Sequence, residues 1–446
     1  MRIASIAAQT LRWPIAGTGA ARGRSERAAV FLEVRTERGA IGLGEAAPLP
    51  GMSLDTLEQA ERAIAAFAAL APFELAVLAP SPRTSHDALA GLAELDRDRA
   101  AIGAGHAHVA AVSAPTASLA PEARLPFAIV DPSVAHALAI APPAARFAIE
   151  TALCDAIARE RGVSLAALLH ASASTTPSSP STIPRNRPAI AYGGAARAVP
   201  LSAVVDDPEA ARRAHAAGIR SFKIKLFADD PLERAFAIAA AAPGARLRID
   251  ANRSWPRDEV AGRLAALAGL PIDYVEEPCR DAHLLLATAL PCKLALDESL
   301  AELTPAELAA ALSSPQLAAV ILKPTALGGI AASLELAALA RRSGIAAVAS
   351  HALESPIGTA ACAEIALVLA ALADDAAAIP GPAAGLAPHA ALDGWRLGVD
   401  QLAADHVHAA AAPGLGFAGL DLAGVVRACG GRDAGELRPG DRGSPR

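Results

Sequence analysis

The sequence predicts an α/β protein: a (β/α) barrel in the C-terminal half, preceded by a smaller α+β region. Three observations carry this. From residue 199 onward, short β-rich runs alternate with alanine-rich helical stretches through seven steps of similar length, which suits a closed parallel barrel better than an open sheet. Five successive runs end on charged residues at near-constant spacing: Lys225, Asp250, Glu276, Asp297 and Lys323 are 25, 26, 21 and 26 residues apart. Aromatic residues make up only 3% of a 446-residue chain that is 53% hydrophobic, so alanine fills many apolar positions and helix is favoured over aromatic-rich sandwich strands.

Along the chain, Ala28–Thr36 reads as a strand, Glu37-Arg38-Gly39 as a turn and Ala40–Leu43 as a second strand. Ser53–Leu70 has the apolar period of an amphipathic helix, with Ser53 as its N-cap. Residues 72–140 are rich in Ala, Pro and His and give weak signals. Pro143–Arg161 returns to a strong helical pattern, and 172–188 (SASTTPSSPSTIPRNRP) reads as a flexible linker or surface loop. The barrel runs are Val199–Val205, Ser221–Phe227, Arg246–Ala251, Ile272–Glu276, Lys293–Leu296, Ala319–Lys323 and Ala346–Ala349. Helices are expected at Pro208–Ala217, Leu232–Ala241, Arg257–Ala268 and Pro305–Leu312. Closure needs an eighth strand, placed near Gly385–Leu386. The tail from Gly430 has no apolar period and is expected to fray.

Composition excludes several function classes. A net charge of −6 and a pI near 6.0 leave no basic field for nucleic acid or an anionic membrane. Mean hydropathy is +0.33, yet the longest uncharged stretch, Ala101 to Pro121, is broken by His106, His108 and Pro115 and would span a bilayer poorly. The apolar start fades at Gln9, Thr10 and Arg12, too early for a signal peptide. Cys154, Cys279, Cys292, Cys362 and Cys429 are odd in number and form no Cys-x-x-Cys, as expected of free thiols in a reducing cytoplasm. His106 and His108 lack a third ligand nearby and read as surface residues.

The five in-phase charges sit at the carboxyl ends of successive strands, where barrels build their sites. Asp250, Glu276 and Asp297, brought together, cannot all stay ionised without a compensating cation, and hard oxygen donors select Mg2+, for which Mn2+ could substitute. Period-2 alternation puts Lys223 and Lys225 on one strand face, where two ammonium groups lower each other's proton affinity and let one act as a neutral base. Lys323 comes from across the mouth. A metal between opposed lysines suits α-proton abstraction from a carboxylate, with the resulting enediolate held by the cation.

These motifs resemble the enolase superfamily, whose sites are known to combine a Lys or His base with Mg2+. In detail they are similar to o-succinylbenzoate synthases. The matching stretches are FKIKLF (222–227), RIDANRSW (248–255), YVEEPCR (274–280), LALDESL (294–300), LKPTALGG (322–329) and SHALESPIG (350–358). GLGEAAPLPGMSLDT (42–56) resembles the capping-domain loop that closes over substrate, and ARFAIETALCDA (145–156) the helix before the barrel. The resemblance implies a modified TIM barrel at 191–400, an N-terminal α+β capping domain at 1–190, and a C-terminal segment, 401–446, packing back on the cap. It implies that Asp250, Glu276 and Asp297 bind Mg2+. Lys225 would take the α-proton and return it to the departing hydroxyl, Lys323 would stabilise the enediolate, and Lys223 would tune Lys225. Arg248, Asn252 and Glu298 would orient the ligands, and Ser350, Glu354 and Ser355 would meet the substrate's succinyl arm. The implied reaction is Mg-dependent loss of water from 2-succinyl-6-hydroxy-2,4-cyclohexadiene-1-carboxylate, a small carboxylate, in menaquinone synthesis.

Two positions depart from the resemblance. His351-Ala352 stands where many relatives have small or hydroxylated residues, and Pro356 starts the following turn; residues 72–140 also run longer than a capping domain needs. The nearest alternative is N-acylamino-acid racemisation or dipeptide epimerisation on the same scaffold. The eighth-strand region has no Asp-x-Asp to bind a peptide ammonium, which disfavours the dipeptide version. A Schiff-base aldolase using Lys323 needs no acid cluster, and a decayed, non-catalytic barrel would have lost some of the five charges.

Overall fold

A computed structural model describes residues 1–16, 23–78, 125–173, 198–374, 383–429 and 432–436. Most of the linker expected at 172–188, His106 and His108, most of the weakly patterned stretch 72–140 and most of the tail lie outside these residues; Ser172 and Ala173, expected in the linker, instead end the helix Leu165–Ala173. The N-terminal region is an antiparallel sheet in the order β3-β2-β1-β4-β5, built from β1 (Arg2–Pro14), β2 (Glu26–Thr36), β3 (Ile41–Ala46), β4 (Phe73–Val77) and β5 (Phe127–Ile129).

The first helix is shorter than expected, Leu57–Ala68, and its N-cap is Thr56 rather than Ser53. Thr56 and Gln59 form a capping box, each side chain bonding the other's backbone, whereas the Ser53 hydroxyl is occupied by the Leu49 amide at 2.8 Å. Helix Pro143–Arg161 matches its expected bounds and is buried from Ala144 through Ala158 except at Arg146. It lies against β3 so closely that a Cβ on Gly42 would come 1.9 Å from the Ala152 carbonyl oxygen, and one on Gly44 2.0 Å from that of Ala148.

The C-terminal region is a curled parallel sheet, ordered β13-β12-β11-β10-β9-β8-β7. The expected run Val199–Val205 is split into β6 (Val199–Pro200) and β7 (Ser202–Val204), since Pro200 has no amide to donate. The rest follow as β8 (Ser221–Lys225), β9 (Arg246–Asp250), β10 (Ile272–Glu276), β11 (Leu294–Leu296), β12 (Leu317–Leu322) and β13 (Ala346–Ala349). Helices Pro208–Ala216, Glu233–Ala241, Val260–Leu267, Pro305–Leu312 and Ile330–Arg342 intervene, and Pro356–Asp374 follows β13. The eighth strand is reduced to single parallel bridges, Ala384 with Leu201 and Gly385 with Ser350, which join the first strand to the last. Gly385 and Pro388, three residues apart, keep it from extending.

Past the barrel, β14 (His406–Val407) pairs with β6, and β15 (Arg432–Glu436) adds antiparallel to β1. Trp395 packs edge-on against Trp13, ring centroids 5.3 Å apart. Inside the barrel a small apolar cluster of Tyr274, Ala295, Ala319, Ile321 and Val348 forms a floor. By strand alternation, the next inward positions above it are Glu276, Asp297, Lys323 and Ser350. Among the described residues, no helix is long and apolar enough to cross a membrane.

Candidate active site

Strand register sets the layout. Lys225 on β8 pairs with Asp250 on β9, which pairs with Glu276 on β10, so these charges share one level of the mouth. Lys223 rises from one layer deeper, beside Arg248, and its ammonium lies 2.8 Å from Asp250 Oδ2 and 2.8 Å from each Glu276 oxygen. Lys225 Nζ is 3.4 Å from Asp250 Oδ2 and donates to Asn252 Oδ1. Across the mouth, Lys323 donates to Asp297 Oδ2.

All three acids are buried, at 4% exposure or less. Burial alone would raise Asp250, but Lys223 and Lys225 outweigh it and hold this carboxyl well below the usual range. At Asp297 burial wins: with Glu298 and Glu276 adding like charge, its carboxyl is pushed well up despite Lys323. Burial would lower Lys223, yet Asp250 and Glu276 raise it, so this lysine is held charged rather than depressed by its neighbour as the sequence suggested. Lys323 is likewise raised, Asp297 and Glu298 overcoming its burial.

The backbone beneath these acids is fixed by a bracket that the sequence reading missed. Asn252, Arg253 and Glu277 all adopt left-handed φ, 44°, 59° and 40°, a costly conformation for non-glycine residues. That turn sends Glu276 into the mouth and Glu277 away from it. The Glu277 carboxylate accepts the amides of Asp297 and Ser299, each at 2.9 Å, and the Ser299 hydroxyl at 2.9 Å. Arg253 then ties Glu277 (3.1 Å) to Ser299 (3.0 Å) and Glu302 (2.8 Å). One network therefore cross-links the loops that carry Asp250, Glu276 and Asp297. The doubled acid in YVEEPCR was its only sequence signal.

The residues expected to orient the ligands divide. Asn252 donates its amide to Asp250 Oδ1 at 3.0 Å and its side-chain Nδ2 to Glu298 Oε1 at 3.4 Å. The other Glu298 oxygen is buried without a hydrogen-bond partner among the described residues. Arg248 stays below the site, donating to the Ala383 carbonyl at 2.7 Å with its guanidinium 5.3 Å over the Tyr274 ring, and so serves barrel closure.

The residues expected to meet a succinyl arm are differently employed. Ser350 donates to the Gly385 carbonyl at 3.3 Å. Glu354 accepts from Thr325 Oγ1 at 2.6 Å and from the Ala352 amide at 2.5 Å. Ser355 is bound to Glu45 of the cap, whose carboxylate accepts the amides of Ser355 and Gly358, each at 2.8 Å, and the Ser355 hydroxyl at 2.5 Å. Glu45 thus caps the helix Pro356–Asp374 from another part of the chain. Glu354 and Ser355 are fully buried, so they fasten the cap rather than face a cleft.

Arg27, also missed, completes this fastening. It donates to the carbonyls of Ala47 (2.7 Å) and Pro48 (2.9 Å) in the cap, and to those of Ala352 (3.1 Å) and Leu353 (2.9 Å) above β13. The cap loop consequently reaches the mouth: Met52 and Ser53 line a cleft with Asp297, Glu298, Lys323 and Leu327.

Among the described residues, no group of three or more His, Cys, Asp and Glu side chains stands as a ready-made metal cage. The three carboxylates are turned instead toward lysines. Asp250 and Glu276 nonetheless converge on one nitrogen, Asp297 projects from the adjoining strand, and an unpartnered Glu298 oxygen lies beside it. In kind and position these donors fit a hard divalent cation.

Comparison with known proteins places the barrel. Residues 206–420 match the family described as enolase C-terminal domain-like. No curated protein matches the chain. Among solved structures, a dipeptide epimerase from Methylococcus capsulatus, complexed with Mg and the dipeptide L-Arg-D-Lys, is 24% identical with a TM-score of 0.60, over 93% of this chain and 99% of that one. The L-Ala-D/L-Glu epimerase from Bacillus subtilis is 20% identical with a TM-score of 0.63, over 95% and 100%. A muconate lactonizing enzyme from Pseudomonas putida is 19% identical with a TM-score of 0.60, over 96% and 99%. At these identities the likeness is one of fold. Residues 206–420 therefore match the enolase C-terminal domain-like family, and the chain shares the fold of these solved structures, with an N-terminal antiparallel sheet and a curled parallel sheet of a modified TIM barrel.

Proposed function

We propose that the protein is an o-succinylbenzoate synthase, a carbon–oxygen lyase that removes water from 2-succinyl-6-hydroxy-2,4-cyclohexadiene-1-carboxylate to give 2-succinylbenzoate for menaquinone synthesis. One observation carries the reading: three buried acids from consecutive strands are flanked by lysines on two sides of one mouth, Lys223 and Lys225 from β8 and Lys323 after β12.

Asp250, Glu276 and Asp297 would hold Mg2+. When bound, the ion supplies positive charge where negative charge grows on the substrate carboxylate as the α-proton leaves. The chain does the rest. Lys225, in its neutral form, takes the proton and delivers it to the departing hydroxyl, with Asn252 Oδ1 fixing where its nitrogen sits. Lys323, anchored on Asp297, offsets charge from the opposite side. Met52 and Leu327 give the cleft apolar walls that exclude water.

A second reading, N-acylamino-acid racemisation or dipeptide epimerisation, draws on the same opposed lysines and on solved structures of the same fold that are dipeptide epimerases. Against the dipeptide version, residues 383–393 (AAGLAPHAALD) contain no Asp-x-Asp to receive an ammonium group. A direct assay decides. Purified protein with Mg2+ is offered the cyclohexadiene acid, a panel of N-acylamino acids and a panel of dipeptides. Dominant loss of water from the first supports the proposal, whereas dominant racemisation or epimerisation overturns it.

A further inference from the structure

His351 follows Ser350 at the carboxyl end of β13, one strand on from Lys323, and nothing in the reaction above employs it. It is half-buried, and its neighbour Ala352 lines the cleft shared by Met52, Asp297 and Lys323. Its ring stacks on that of His389, with centroids 3.9 Å apart and planes inclined by 21°. The Leu353 amide donates to His351 Nδ1 at 3.1 Å. A ring nitrogen that accepts an amide proton carries none of its own, so the neutral ring must bear its proton on Nε2.

The surroundings hold this arrangement in place. Leu353 has a left-handed φ of 61°, and Arg27 grips its carbonyl at 2.9 Å, so the amide aimed at His351 has little freedom. Behind it, His389 Nε2 lies 3.2 Å from Thr359 Oγ1, whose hydroxyl reaches the Glu354 carbonyl at 3.4 Å. Burial, the neighbouring His389 and the charges of Lys323, Lys223 and Lys225 keep His351 neutral, with its proton affinity far below the ordinary histidine range. The result is an uncharged N–H donor next in sequence to Ala352, which lines the mouth whose other donors are ammonium groups.

We propose that His351 is a substrate-binding residue whose Nε2–H donates to an acceptor oxygen, carbonyl or carboxylate, on the part of the substrate remote from the carbon that loses its proton. The inference rests on the dehydratase reading, in which that part is the succinyl arm. Three variants separate the contributions of the ring. His351→Gln places an amide nitrogen close to the Nε2 position, His351→Asn reaches only the Nδ1 position, and His351→Phe keeps the stack on His389 but donates nothing.

The experiment first identifies which acid the wild type turns over, then measures kcat and KM of each variant on that acid, with melting curves as a check on folding. KM is expected to rise about tenfold or more in the Phe and Asn variants, with kcat within about threefold of wild type, and to return close to the wild-type value in the Gln variant. An unchanged KM in the Phe and Asn variants, or a fall in kcat alone, overturns the proposal. If the wild type uses only N-acylamino acids or dipeptides, the dehydratase reading fails, and the same KM pattern on those substrates still decides the role of His351. If it turns over none of them, both fall.

Discussion

Lys223 donates to both carboxylate oxygens of Glu276, each at 2.8 Å, from beneath the mouth of the barrel. The same nitrogen lies 2.8 Å from Asp250, so one ammonium joins two buried acids that would otherwise repel. Lys223 is thereby a counter-charge for the acid cluster, while Lys225, one layer higher, remains the group placed to meet substrate.

That division predicts how Lys223→Met behaves. Without divalent cation, Asp250 and Glu276 lose their shared partner, and breaking a buried ion pair costs about 3–5 kcal/mol, an upper figure here because Lys223 retains some exposure. The variant should melt well below wild type in EDTA, and Mg2+ should restore more of its melting temperature than it adds to wild type. Equal melting of the two proteins in EDTA contradicts the assignment.

Lys225→Ala should lower kcat by about 10²- to 10⁴-fold, the usual contribution of a positioned general base. Circular dichroism and Mg2+ binding by calorimetry should stay close to wild type, because the loop bracket through Arg253, Glu277 and Ser299 does not involve this side chain. Retained turnover would remove Lys225 from the base role.

Glu45 predicts a pH effect. Burial raises its carboxyl from 4.5 to about 7, against the pull of the Ser355 and Gly358 hydrogen bonds. A carboxyl that keeps its proton to higher pH when folded makes the folded state bind more protons between those two values. Stability therefore falls as pH climbs from 4.5 to about 7 and levels off above. Glu150 and Glu364, also raised to about 7 by burial, add to the same slope. In Glu45→Gln one contribution is absent, so the melting temperature of the variant relative to wild type should be higher at pH 8 than at pH 5. A difference that does not change with pH would show that Glu45 is ionised throughout.

Gly44→Ala tests the packing of the helix Pro143–Arg161 on the N-terminal sheet. The added Cβ would lie 2.0 Å from the Ala148 carbonyl oxygen, which is backbone and has little room to retreat. Overpacking of this kind costs roughly 1–3 kcal/mol, measurable by urea denaturation. A variant as stable as wild type would mean that the helix Pro143–Arg161 shifts freely on β3.

The barrel was legible because its strands repeat and its charges recur in phase. Ile272–Glu276 and Ala346–Ala349 fall at their expected bounds, and so does the helix Pro143–Arg161 with its glycine stop at Gly162. The eighth strand was not legible, since two bridged residues carry no periodicity. In the site, Asp250, Glu276, Asp297 and the lysines announce themselves by spacing. Arg27, Glu45 and Arg248 do not, because their partners are backbone groups up to several hundred residues away, and sequence does not reveal where a carbonyl will be. Ser350, Glu354 and Ser355 looked like a binding loop for a related reason: buried polar residues that fasten one part of a chain to another have the same composition as those that hold a ligand.

The most direct test is turnover of 2-succinyl-6-hydroxy-2,4-cyclohexadiene-1-carboxylate by the wild-type protein, followed as formation of 2-succinylbenzoate with Mg2+, after EDTA, and after Mg2+ is returned. The account predicts rapid aromatisation that EDTA abolishes and Mg2+ restores. Formation of the product at the same rate in EDTA, or none with Mg2+ present, would contradict it.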